Sequence, residues 1–161
     1  MEELSREAPM PFCRRGSARD PRLARLLGEC YRAELCSVAA YTYRAAVTEP
    51  HSKELSDAFD RIATDEMEHF RLLGALIVSL GGEPMLRMRW QSGEGVPSSG
   101  DTRERAIAEG RMLSEAIEEE RCEIDRYQTL MGQTEDRIVR SFLCQILSDE
   151  ERHVARLKTL I

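Results

Sequence analysis

Apolar residues recur at helical spacing in four long stretches of the chain, and Pro and Gly gather between them. That spacing places the apolar side chains on one face of an α-helix. The first stretch opens at Asp20 and Pro21, an N-cap followed by Pro at the first helical position, and runs to about Thr48, short of Pro50. The second begins near Ser52 and stops at Gly81 and Gly82. The third begins at Asp101, with Glu104 three residues on as in a capping box, and stops at Gly132. The fourth begins near Thr134, ahead of Glu135 and Asp136, where the helix dipole favours acid, and continues almost to Ile161. Each would be about 40 Å long at 1.5 Å per residue. No stretch alternates apolar and polar residues as a strand does, so the chain reads as all-α.

The connections set the topology. The first and third are a few residues long and predict antiparallel helix hairpins. The second, about 83–100, holds Pro84, Gly93, Gly95, Pro97 and Gly100. It reaches about 60 Å when extended, enough to travel the length of a helix. The expected fold is a four-helix bundle of two antiparallel hairpins joined by a long crossover. Residues 20–161 form the bundle domain, and 1–19 an N-terminal extension.

Composition narrows the class. The chain has 161 residues, enough for one domain, and 42% of them are hydrophobic. Its net charge of -6, without a Lys/Arg block, argues against nucleic-acid binding through a basic surface. No apolar run is long enough to span a membrane, and 1–15 lack the apolar core of a secretory signal. Cys13, Cys30, Cys36, Cys122 and Cys144 include no C-x-x-C pair, which excludes a zinc ribbon or rubredoxin-type iron site within the chain. The cysteines read as free thiols in a reducing cytoplasm.

The two hairpins repeat one motif. Ile62, Thr64, Asp65, Glu66 and His69 match Ile146, Ser148, Asp149, Glu150 and His153 in the pattern I-x-[ST]-D-E-x-x-H. Glu34, Cys36, Val38 and Tyr41 match Glu120, Cys122, Ile124 and Tyr127. Glu is abundant, at 21 of 161 residues, so one E-x-x-H means little. Here, however, Glu34, Glu66, His69, Glu120, Glu150 and His153 all fall on the apolar stripes of their helices. Burying four carboxylates together requires compensating positive charge. Glu and His at i and i+3 share a face and offer one ion an oxygen and a nitrogen. Two such helices, with one Glu from each of the others, make the ligand box of di-iron and di-manganese carboxylate bundles. Glu123, one turn beyond Glu120, is a candidate additional ligand. His51, Glu68, Glu118, Glu119 and Glu151 read as solvated.

These residues resemble the ferritin-like superfamily, and within it the rubrerythrin-like and bacterioferritin-like di-iron proteins, over about 20–160. The resemblance implies that Glu34, Glu66 and His69 hold one metal, that Glu120, Glu150 and His153 hold the other, and that Glu66 and Glu150 bridge. It implies that Asp65 and Asp149 accept the imidazole N–H of the opposite half. Tyr41 and Tyr127 would hydrogen-bond ligand carboxylates. Met67 follows Glu66 as the haem-ligating Met of bacterioferritins does, but reads as a packing residue, so haem is not expected. The rubredoxin domain of rubrerythrin is missing, so an electron donor would be another protein. The leading expectation is a di-iron oxidoreductase that reduces peroxide or dioxygen with Fe(II) oxidation. A dimanganese catalase and an iron-binding or storage protein fit the same ligands. A homo-oligomer, dimer or larger, is expected.

Overall fold

The computed structural model describes residues 20–86 and 102–161, apart from the side chains of residues 102, 104 and 105. The extension 1–19, the capping box at Asp101 and Glu104 and most of the crossover lie outside the described residues. The described residues form four helices and no strand: α1 (Pro21–Thr48), α2 (Lys53–Ser79), α3 (Thr102–Met131) and α4 (Arg137–Lys158).

The helix ends follow local chemistry. The Asp20 carboxylate accepts the Leu23 N–H at 2.9 Å and starts α1 ahead of Pro21. Ser52 caps α2 more loosely, with 3.4 Å to the Leu55 N–H. α2 closes in a Schellman turn, in which the Gly82 N–H reaches the Ile77 carbonyl at 2.9 Å and the Gly81 N–H reaches Val78 at 3.0 Å. Gly81 takes φ 77°, a left-handed conformation that penalises any Cβ. Gly82 is needed for space, since a Cβ there would lie 2.7 Å from Ala24 Cβ on α1. The start of α4 differs from the expected Thr134. Asp136 is not a first-turn residue but the N-cap itself, accepting the N–H groups of Ile138 and Val139 at 2.9 and 3.1 Å. Thr134 Oγ1 instead accepts the Asp136 N–H at 3.2 Å.

α1 packs on α2, α3 on α4, α1 on α3 and α2 on α4, while among the described residues the backbones of the diagonal pairs stay apart and only side chains meet across the centre. Contacts across α1 and α3 run in opposite register, Tyr41 with Glu120 and Glu34 with Tyr127, so those helices are antiparallel. His69 with Asp149 and Asp65 with His153 show the same for α2 and α4. Hence α2 and α3 point the same way as diagonal partners, and a long connection is required between them.

The core is split. One apolar cluster gathers Leu27, Leu73, Leu76, Tyr127, Leu143 and Ile146. The other gathers Tyr41, Phe59, Ile62, Leu113, Ile117 and Leu157. In every helix the buried Glu or His falls between the residues of the two clusters. A charged layer is thus sealed at both ends by hydrocarbon, which lowers the local dielectric and slows water entry.

Candidate metal centre

The polar layer brings together all six side chains that the sequence singles out. Glu34 comes from α1, Glu66 and His69 from α2, Glu120 from α3, and Glu150 and His153 from α4; none is more than 4% exposed. Their donor atoms form two overlapping groups. One contains Glu34, Glu66, His69 and Glu150; the other contains Glu66, Glu120, Glu150 and His153. Within each group the ligand atoms lie within 4.8 Å of one another, and Glu66 and Glu150 belong to both.

The imidazoles point alike. His69 Nδ1 faces Glu150 at 3.1 Å, Glu66 at 3.4 Å and Glu34 at 3.5 Å. His153 Nδ1 faces Glu120 at 3.1 Å, Glu150 at 3.2 Å and Glu66 at 3.3 Å. Each Nε2 turns outward to an Asp of the opposite motif, His69 to Asp149 and His153 to Asp65, both at 3.2 Å. The Tyr127 hydroxyl donates to Glu34 Oε1, and the Tyr41 hydroxyl to Glu120 Oε1. Both tyrosines are almost fully buried.

Donor chemistry tests whether metal ions suit this box. Glu34 Oε2, both oxygens of Glu66, Glu150 Oε1 and His69 Nδ1 are buried without a hydrogen-bond partner. Orphaned buried carboxylate oxygens are costly. Oxygens and imidazole nitrogens that converge without hydrogen-bond alignment suit iron or manganese. The donor set fits.

The ferritin-like domain family matches residues 26–161. The chain belongs to that family. Two solved structures share its fold, each with a TM-score of 0.71. One is the bacterioferritin-related protein of Bacteroides fragilis, a dodecameric thioferritin, at 24% identity over 85% of this chain and 82% of that one. The other is the bacterioferritin of Rhodobacter capsulatus, solved with a metal-free dinuclear site and a haem iron, at 21% identity over 89% of this chain and 85% of that one. No curated protein matches the chain.

In this ferritin-like chain, burial and the two imidazoles act against each other on the carboxylates of the box. Burial pushes Glu34 well above the usual carboxylate range, His69 pulling it partly back. Burial likewise lifts Glu120, to about 8. Glu66 behaves oppositely. Burial would raise it, but the imidazoles of His153 and His69 beside it outweigh that and hold it at about 2. Glu150 is lowered by the same imidazoles against its own burial. Burial would lower His153, yet Glu120, Glu150 and Glu66 lift it to about 12, and His69 is raised in the same way. The imidazoles therefore favour the ionised form of the two shared carboxylates, and burial disfavours it for the two outer ones.

Glu123 is buried beside the box but belongs to neither group of ligand atoms. Ser37 donates to its Oε1 at 2.8 Å, its Oε2 has no partner, and burial raises its pKa strongly. His51, Glu68, Glu118, Glu119 and Glu151 are exposed, as expected. Met67, read from sequence as packing, is 39% exposed, because one step past Glu66 turns it about 100° from the core face. Sequence reasoning missed Arg44. Its guanidinium is buried 5.1 Å from the Tyr41 ring centre and pairs with Glu119 at 2.7 Å. The signal was its place one turn beyond Tyr41 on the same stripe.

Proposed function

We propose that the chain is a di-iron carboxylate oxidoreductase of rubrerythrin-like type, reducing peroxide or dioxygen as Fe(II) is oxidised. The observation that carries this reading is the pair of four-donor groups sharing Glu66 and Glu150, buried between two apolar clusters. Glu34 and His69 would serve one ion, Glu120 and His153 the other, with Glu66 and Glu150 bridging and Glu123 in reserve. Two bound irons would together supply the two electrons that O–O cleavage needs.

The chain's own residues prepare the site. Asp149 and Asp65 accept the Nε2 protons of His69 and His153, which fixes the tautomer and leaves Nδ1 free to bind metal. Tyr127 and Tyr41 hold one oxygen of Glu34 and of Glu120, so the other oxygen keeps its direction. The apolar clusters exclude bulk water. Bound metal ions would displace protons from their ligands.

A second reading is iron uptake within a cage, supported by the dodecameric relative. A dimanganese catalase suits the same donors. The unpaired state of Cys30, Cys36, Cys122 and Cys144 supports the expected placement in the reducing cytoplasm. The test is anaerobic: load Fe(II), add peroxide, and follow peroxide loss, dioxygen release and iron retained. Peroxide loss that stops without an external reductant supports the oxidoreductase. Dioxygen release once manganese replaces iron supports the catalase. Iron held far beyond two ions per chain supports storage. A loaded protein that neither consumes peroxide nor oxidises Fe(II) refutes the redox assignment.

A further inference from the structure

The two halves of the box share a motif but not an electrostatic setting. Asp149, which holds His69 Nε2, also pairs with Arg152 three residues on. In the other motif the position of Arg152 is taken by Glu68. Asp65, which holds His153 Nε2, has no Lys or Arg within ion-pair distance among the described residues; Glu68 stands one turn ahead of it on α2 and Arg61 one turn behind, where the other motif has Gln145. Asp149 is also the more enclosed of the two, its side chain 17% exposed against 43% for Asp65.

A carboxylate on the outer nitrogen of an imidazole makes the inner nitrogen a better metal donor. A cation on that carboxylate takes part of this effect back and adds repulsion toward a metal ion. Both consequences fall on His69. Arg44 is the opposing consideration, because it lies on the Glu120 side, where its counterpart in the other half is Leu130. Its charge is closed by Glu119 at 2.7 Å, and the Tyr41 ring lies beside it. Glu119 is not part of the box, so the Arg44 pair is nearly neutral there. Arg152 instead neutralises Asp149, a group that touches an imidazole of the box.

We infer, resting on the two-metal reading above, that Arg152 is a positioning residue that makes the half-sites unequal: the ion held by Glu120 and His153 binds first and tightly, and the ion held by Glu34 and His69 is the exchangeable one. Arg152 acts through Asp149 and His69 without touching the metal. Its guanidinium is 65% exposed, so the inequality is modest, about tenfold in affinity, the lower end of effects transmitted through ligand partners.

The test is a titration of the full chain, stripped by chelator, with Co(II) followed by its visible absorption. Wild type should bind in two steps about tenfold apart. The tighter step should survive His69→Ala and vanish in His153→Ala. Arg152→Gln should draw the two steps together, Arg152→Lys should keep them apart, and Glu68→Arg should weaken the tighter step. Added salt should narrow the wild-type gap, since Arg152 faces solvent. Arg152 and Glu68 are surface residues, so these variants carry the test even if a histidine variant fails to fold. Two equal steps in wild type, a gap unchanged in Arg152→Gln, or a tighter step lost in His69→Ala overturns the inference and leaves the two-metal reading standing. Absence of Co(II) binding in wild type removes that reading and the inference with it.

Discussion

Replacing Tyr127 by Phe deletes one hydroxyl and little else. The ring is fully buried on α3, and its O–H donates across the bundle to Glu34 Oε1 on α1. The other Glu34 oxygen has no hydrogen-bond partner, and His69 Nδ1 stands 3.5 Å from it. In Tyr127→Phe the carboxyl is left buried with no donor on Oε1, while the ring still fills its space. Leaving a buried acceptor unsatisfied costs about 1–3 kcal/mol. For a chain of this size that is a fall in Tm of roughly 2–12 °C. The assay is thermal unfolding of the chelator-treated protein by circular dichroism. Tyr43→Phe is the control, because Tyr43 is 46% exposed and its change should stay within about 0.5 kcal/mol. A second readout is metal titration. Loss of a partner that orients a ligand should weaken binding by about 10–100-fold. Tyr41→Phe should do the same through Glu120, and the double variant should depart from additivity, because both carboxylates face Glu66 and Glu150. If Tyr127→Phe matches the Tyr43→Phe control in both stability and metal affinity, Tyr127 does not hold Glu34.

Other outcomes follow from the same geometry. Metal at a thousandfold excess over its dissociation constant should stabilise the fold by about 4 kcal/mol, seen as a Tm rise that chelator reverses and that Glu66→Ala abolishes. Affinity should rise between about pH 6 and pH 8, since the ligands must lose protons to bind metal, Glu120 being lifted to about 8 and His153 to about 12; calorimetry in buffers of different ionisation enthalpy should register the released protons. Gly82→Ala should lower stability by about 1–3 kcal/mol, because its Cβ would meet Ala24 at 2.7 Å and Ile77 at 3.0 Å. Gly110→Ala should raise it by about 0.5–1 kcal/mol, since it lies inside α3 with nothing within 4 Å of the new Cβ; opposite Tm shifts check the pair. Cys36, Cys122 and Cys144 should be alkylated before Cys30, which is buried and whose thiol burial pushes to about 12, as mass spectrometry of partly modified protein would show.

The helices, their order and the residues of the box were legible in the chain because their causes are local. Helical periodicity, Asp20 ahead of Pro21, the glycine pair at 81 and 82, and the repeated D-E-x-x-H each act over one or two turns. The short and long connections even indicated which helices had to be neighbours. Where local signals competed, the reading slipped, as at α4, where Thr134 and Asp136 both make good caps and only their hydrogen bonds decide between them. Other features depend on packing between residues about 80 or more apart. Ser37 meets Glu123 on α3, Arg44 reaches Glu119 on α3, and Asp149 holds the imidazole of His69 in the other hairpin. A repeated motif makes the halves look equal. Their inequality resides in the flanking positions, Glu68 against Arg152 and Arg44 against Leu130, whose effect on the box depends on distance and burial across the bundle.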